Sequence, residues 1–397
     1  KLKGELRPRF EAINQDQPNT IAGSAFTNRM HLSATAALLG IENLSATIGL
    51  QSVNNFGYTN YSSPGNSVSD GDGNTYNVIA DAQLAMLSEA SIDYKLANSA
   101  LHLGRSQLNL DNQRFIGTVG WRQQERSYDT AYLANSDIEN LDLLAAYVYG
   151  YAGVTGVTTT ETNSVILHAK YKVNDALNIT TYGYLLASLS DTYGLTLAGK
   201  FNASKDVKLS YRAEYAIQID ATMEYGSAAN QTNVKADANY LNLDLATNIS
   251  GLIAGLNYEV LSGTDENDAS STKTQFNPAL GTNHKFNGWA DVFYVGNNGA
   301  AGGLIDSNIR LGYKAKGFGK LLAVYHDFQA QTAMNAVSGT TINLGSEIDV
   351  VYVNKIPGVS NLSGLLKFAS YTAGDATSFS NATFDKQVAW AQLSYKF

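Results

Sequence analysis

The chain has no cysteine, which excludes a disulfide framework and any thiolate metal site. It has only five prolines in 397 residues, so long extended segments run without the usual breaker. No stretch reaches the ~18 consecutive apolar residues of a membrane helix, and the nearest candidate, residues 143–154, alternates instead. Charged residues make up 16% of the chain, against about 25% in ordinary soluble domains. Mean hydropathy is nonetheless −0.17, so the missing charge is not replaced by hydrophobic blocks. The net charge of −8 argues against a nucleic-acid partner. What is abundant is tyrosine (24, against 14 phenylalanines) and glycine (35). A wall that is wet on one side and lipid-covered on the other requires this mixture.

Two stretches show such a wall directly. Lys386-Gln-Val-Ala-Trp-Ala-Gln-Leu-Ser-Tyr-Lys-Phe397 puts Ala389, Ala391, Leu393, Tyr395 and Phe397 on one face, and Trp390, Gln392, Ser394 and Lys396 on the other. In residues 2–12, Leu2, Gly4, Leu6, Pro8, Phe10 and Ala12 alternate with Lys3, Glu5, Arg7, Arg9 and Glu11. Five successive charges on one face suit a water-filled lumen and no half-buried soluble strand. Pro8 lacks a ladder donor, which predicts a bulge or rim position there. The chain starts at Lys1 rather than Met, as a processed secreted protein would.

Extended to the whole chain, alternation and turn residues predict 18 strands. They cover 2–12, 25–37, 43–53, 83–95, 99–107, 126–134, 140–151, 164–173, 176–186, 192–201, 207–220, 235–248, 252–261, 304–315, 319–329, 343–354, 361–371 and 386–397. Connections after even strands are short, such as 174–175, 249–251 and 316–318. Those after odd strands are mostly long: 54–82, 108–125, 152–163, 221–234, 262–303, 330–342 and 372–385. Short turns on one side and long loops on the other is the asymmetry of an outer-membrane barrel, with both termini on the periplasmic side. The expected fold is therefore all-β, a single transmembrane antiparallel barrel over 1–397 with outer-membrane lipid around it.

Parity then assigns faces. Leu209, Tyr211, Tyr215, Ile217 and Ile219 face lipid, while Lys208, Arg212, Glu214, Gln218 and Asp220 face in. Ile309, Leu311 and Tyr313 oppose Asp306, Asn308, Arg310 and Lys314. Leu344, Ile348, Val350 and Tyr352 oppose Glu347 and Asp349, and His168, Lys170 and Lys172 share an inner face. A Lys or Arg at the lipid midplane would cost ~2–4 kcal/mol, so the charged parity goes inward. Seven of nine arginines precede residue 127: Arg7, Arg9, Arg29, Arg105, Arg114, Arg122 and Arg126. They predict a basic wall in the first strands, with Glu89, Asp93, Glu347 and Asp349 as inward acids. Guanidinium forks bind carboxylates bidentately, so an open arginine ladder would guide carboxylated solutes. A ladder neutralised by pairing would only hydrate the wall.

Residues Leu110-Asp-Asn-Gln-Arg-Phe-Ile-Gly-Thr-Val-Gly-Trp-Arg-Gln123, with Gly104-Arg105 before and Ser127-Tyr128-Asp129 after, resemble the signature of the alginate export family of outer-membrane porins. Asn283-His-Lys-Phe-Asn-Gly-Trp-Ala-Asp291, Gly303-Leu-Ile-Asp306 and Ala323-Val-Tyr-His-Asp-Phe328 extend the resemblance. It implies an 18-stranded barrel whose constriction carries Arg105, Arg114, Arg122, His284 and Lys285, with loops 108–125 and 262–303 turned into the lumen. Trp121 and Trp289 lie in these segments, where a sugar could stack on them. The chain departs from an alginate exporter in being net acidic with few arginines.

Asp70, Asp72 and Asn74, with Asp81 eleven residues beyond Asp70, resemble part of a calcium loop, but Thr75 stands at the glycine position and Asp81 at the glutamate. Asp265-Glu-Asn-Asp268 is a weaker run of the same kind. The five histidines show no metal spacing, and no nucleophile-elbow, P-loop or dinucleotide motif is present, so no cofactor and no catalysis is expected. The sequence thus predicts a porin passing small hydrophilic, carboxylated solutes or oligosaccharides. Its alternative is a non-conducting structural or adhesive barrel, or a sheath for a protein partner. Monomer and trimer are equally compatible with it.

Overall fold

The computed structural model describes residues 1–156, 159–187, 189–225, 232–264, 272–293, 302–377 and 382–397, without the side chains of 220–225, 232–236 and 272–273. The sequence-predicted Asp265–Asp268 run and the Asp220 side chain lie outside the described residues. Eighteen long strands form the wall. They are β1 (Leu2–Gln15), β2 (Gly23–Ala37), β3 (Leu44–Asn54), β4 (Leu84–Leu96), β5 (Ser99–Ser106), β6 (Ser127–Asn135), β7 (Leu141–Ala152), β8 (Thr159–Asn174) and β9 (Leu177–Leu186). They continue as β10 (Ser190–Asn202), β11 (Val207–Tyr225), β12 (Thr232–Ile249), β13 (Leu252–Leu261), β14 (Leu304–Ala315), β15 (Gly319–Asn335), β16 (Thr340–Lys355), β17 (Leu362–Ala373) and β18 (Lys386–Lys396). Each strand pairs antiparallel with its neighbours in sequence, and β1 pairs with both β2 and β18, which closes the barrel. Closure leaves no strand edge for lipid to meet, as a membrane-spanning sheet requires.

Period-2 alternation sets the two faces. Phe10, Leu103, Leu195, Leu256, Leu311 and Leu366 are exposed on the outside, while Arg9, Glu11, Glu214, Asp306 and Asp349 are buried inside. No described helix is long and apolar enough to cross a membrane.

The structure departs from the expected boundaries where lipid no longer dictates the pattern. Strands β11, β12, β15 and β16 run beyond their alternating segments, so the connections expected at 221–234 and 330–342 are largely hairpin. In β15 the outward apolar stripe ends while the ladder continues: Ala330 and Met334 are buried, and Gln331 and Ala333 are exposed on the other parity. Pro8 sits inside β1 rather than at a rim or bulge. The ladder to β18 lapses over Arg7 and Pro8 and resumes at Arg9↔Gln392 in the register of Leu6↔Tyr395. Leu344 does not face lipid. Phe328 pairs with Gly345 but Gln329 with Asn343, so Leu344 is the extra residue of a bulge and turns into the barrel, fully buried. Gly345 carries φ 112° at this bulge, a conformation that favours glycine.

Candidate functional site

The lumen is crossed by three of the long connections, 55–83, 107–126 and 262–303, whose described parts bond to the inward side chains of the wall. Arg7 is buried and donates to Gln123 Oε1 (2.9 Å), to the Gly120 carbonyl (2.9 Å) and to the Arg122 carbonyl. Gln123 returns a bond from Nε2 to the Arg7 carbonyl at 2.9 Å. Arg9 donates to Gln392 and to the Trp121 carbonyl and pairs with Asp81 at 3.3 Å. Asp81 in turn accepts the Gln123 backbone N–H at 2.9 Å. Arg29 pairs with Glu125 at 2.5 Å and Glu5 at 3.7 Å. Arg122 lies 3.3 Å from Glu11 and 2.6 Å from Asp291, and Arg126 donates to the Gly117 and Leu280 carbonyls. Arg7, Arg9, Arg29 and Arg122 join the loops to β1 and β2, and Arg126 joins loop 107–126 to loop 262–303. A buried charge needs a partner, and each has several.

The loops also have a core of their own. Phe115 packs on Tyr182, Tyr240 and Phe276 at ring distances of 5.6, 5.1 and 5.6 Å. Beside it Arg114, fully buried, meets Glu259 at 2.9 Å and donates to Asn287 Oδ1 at 2.9 Å. Val119 takes φ 56°, unusual for a β-branched residue, held where its N–H reaches Thr282 Oγ1 at 3.1 Å. Segment 272–293 rests on two inward carboxylates. Glu347 accepts the Ala290 N–H (2.7 Å) and Asp349 the Trp289 N–H (3.1 Å). His284 bonds through Nδ1 to Asp291 Oδ1 at 2.7 Å. Burial pushes the His284 imidazole down to about 3, since the attraction of Asp291 is smaller and Lys367 and Arg122 repel a proton. Burial raises the Asp291 carboxyl, but His284 and Arg122 outweigh it and hold it below the usual carboxylate range.

Several predicted site residues land elsewhere than the sequence suggested. Arg105 shares the face of the exposed Leu101 and Leu103, outside the lumen and at the long-loop end of β5. There it pairs bidentately with Asp129, at 2.7 Å for each bond, and donates to Thr159. Trp121 offers no free face to a sugar. His284 stacks on it at 4.8 Å, and Arg9 and Lys367 sit 4.1 and 4.0 Å from its ring centre. The calcium candidates are not brought together. Asp70 bonds within its own exposed turn, to the N–H groups of Asp72 and Asn74, while Asp81 is fully buried on Arg9 and Gln123. Among the described residues no group of three His, Asp or Glu could hold a metal.

Arg212, Lys285 and Arg310 do come together. With Asp244, Glu259, Asp306 and His326 they line a cavity of about 360 Å³ between segment 285–289 and the β11–β15 wall. Arg212 pairs with Glu214 (2.8 Å) and Arg310 with Asp244 (2.6 Å). Lys285 gives one bond, to the Asn112 carbonyl at 2.9 Å. Burial and the nearby Arg212 lower the pKa of its ammonium. Toward the short-turn mouth, Lys170, Lys200, Lys208, Lys314 and Lys320 stand exposed on the inward parity of β8, β10, β11, β14 and β15. None of the five forms an ion pair among the described residues. Lys170, Lys208 and Lys314 were legible by parity. Lys200 and Lys320 carry the same parity signal.

No protein-family model matches the chain, and no curated protein matches it. Solved structures do. The chain is similar to Pseudomonas aeruginosa OccK8 (OprE), with 15% identity, a TM-score of 0.69, and coverage of 100% of this chain and 98% of that one. It is similar to P. aeruginosa OpdK solved with vanillate at 15% identity and a TM-score of 0.70, with the same coverage. It is also similar to Acinetobacter baumannii OccAB2 at 12% identity and a TM-score of 0.70, again with 100% and 98% covered. At these identities the likeness establishes the fold, a closed 18-stranded antiparallel barrel, and does not single out the alginate-export family that segments 110–123 and 283–291 resemble.

Proposed function

We propose that the protein is an outer-membrane porin through which small hydrophilic anions, carboxylates above all, diffuse passively. The observation that carries this reading is the row of lysines on one inner wall that form no ion pair among the described residues: Lys170, Lys200, Lys208, Lys314 and Lys320, with Lys285 above them. Fixed cations in a narrow, low-dielectric passage raise the local anion concentration, and several of them in series keep any one site from trapping the solute. Loops 107–126 and 262–303 supply the narrowing, with Arg114, Arg122, His284, Glu347 and Asp349 fixing its shape. OpdK was solved with vanillate, a small aromatic carboxylate, and a solute of that charge and size fits the reading. The alginate-export resemblance rests on the loop segments, and the occupied faces of Trp121 speak for single small acids rather than a stacked oligosaccharide.

A non-conducting barrel is the rival, and the pairing of Arg9 and Arg29, on β1 and β2, with Asp81 and Glu125 favours it. Swelling of liposomes holding the purified barrel separates the two. Faster entry of small carboxylates than of uncharged solutes of equal size supports the porin. Equal rates remove the anion preference, and no swelling supports the rival.

A further inference from the structure

All three tryptophans of the chain surround one lysine. Lys367 projects inward from β17 and is almost fully buried. Its Nζ lies 4.0 Å from the ring centre of Trp121, 4.1 Å from that of Trp289 and 5.0 Å from that of Trp390. Trp390 is its cross-strand partner on β18, whereas Trp121 belongs to loop 107–126 and Trp289 to loop 262–303. The ammonium also lies 2.7 Å from His284 Nε2. An ammonium can only donate, so Nε2 accepts, and the His284 proton sits on Nδ1 facing Asp291. Asp291 continues the chain to Arg122 at 2.6 Å, and Arg122 to Glu11 on β1. No carboxylate among the described residues forms an ion pair with Lys367. Indole faces and an imidazole lone pair take that place, and cation–π contacts are strongest where water is excluded.

We infer that Lys367 is the clamp of the constriction: one ammonium ties loops 107–126 and 262–303 to the β17–β18 wall, and so fixes the width of the passage. Both loops and the wall each contribute an aromatic face to the same nitrogen, so its loss removes at once the one contact in which all three meet. Arg9 and Arg122 hold loop 107–126 from the β1 side only. The inference rests on the porin reading for its effect on width, but not for its effect on the tryptophans.

Two readouts test it in the Lys367→Met and Lys367→Ala proteins, with Lys316→Ala in a short exposed turn as control. Because the only tryptophans lie at the clamp, their fluorescence reports it whether or not the protein conducts. Both Lys367 variants are expected to show greater acrylamide quenching than wild type. Added n-butylammonium, which can refill the cage, is expected to reduce quenching in Lys367→Ala and to leave wild type unchanged. In planar bilayers both variants are expected to lose the single stable level and to rise in mean conductance, again reversed by n-butylammonium in Lys367→Ala alone. Unchanged quenching in Lys367→Met, or an amine effect equal in wild type, overturns the clamp. A silent wild type with the expected quenching pattern overturns the porin reading and leaves the clamp standing. Heat-modifiable migration identifies folded protein. If Lys367→Ala does not fold, Lys367→Met, which keeps the length of the side chain, decides by quenching.

Discussion

Arg114 shows how a residue can sit in a passage without setting its charge. Its guanidinium is wholly buried against Glu259, Asn283 and Asn287, so no solute meets an uncompensated cation there. Replacing it by Ala leaves Glu259 buried with only the neutral donors of Tyr240 and Asn287, a loss of up to about 3–5 kcal/mol for a broken buried pair. We expect Arg114→Ala to loosen the loop core around Phe115 and raise conductance while leaving ion selectivity near that of wild type. Bilayer recording of both quantities checks this, and a fall in anion preference with unchanged conductance would contradict it. His284 adds a pH dependence of known sign. Its folded pKa, about 3, lies below its ordinary 6.5, so in that interval the unfolded chain binds a proton that the folded one refuses. The His284 contribution to stability is expected to be level above pH 7 and to fall as pH drops from 6.5 toward 3. Asp291, depressed in the fold, adds to the loss below its ordinary 3.8. Thermal unfolding between pH 8 and pH 4 measures the slope, and His284→Gln is expected to flatten it.

At the scale of the element, the wall was legible because lipid enforces one rule along every strand. A side chain on the outer face is apolar or costly, so parity in residues 2–12, 304–315 and 386–397 gave the strands and their faces together. The rule fails where lipid does not reach. The upper halves of the β11–β12 and β15–β16 hairpins carry no such signal, and the bulge at Leu344 changes parity within a strand. The loops were legible only as segments. Seven early arginines read as a basic wall because parity reports direction, not partners. The carboxylates that pair with Arg9, Arg29, Arg114 and Arg122, namely Asp81, Glu125, Glu259 and Asp291, come from distant parts of the chain. Closure itself makes a local prediction. Gly4 exchanges backbone bonds with Phe397 (2.8 and 3.0 Å), and the Phe397 ring occupies the space a side chain at position 4 would need. Gly4→Val is expected to reduce the heat-modifiable folded fraction, whereas Gly153→Val, at an open loop position without a positive φ, should reduce it less. Equal yields would show that the β1–β18 seam tolerates displacement of the ring.

The whole molecule is a closed apolar shell around a lumen whose charges divide into two sets. One set, arginines paired with buried carboxylates, holds the loops in place. The other, lysines exposed on the β8–β15 wall, faces water without ion pairs among the described residues. A chain of net charge −8 can therefore still present a cationic path. The zero-current potential of single channels in a potassium chloride gradient tests this most directly, on wild type and on the Lys170→Gln, Lys314→Gln, Lys320→Gln triple variant. The account predicts a potential of anion-selective sign for wild type, shifted toward the cation side in the variant with the conductance level still stable. A cation-selective wild type, or a variant indistinguishable from it, would contradict the account.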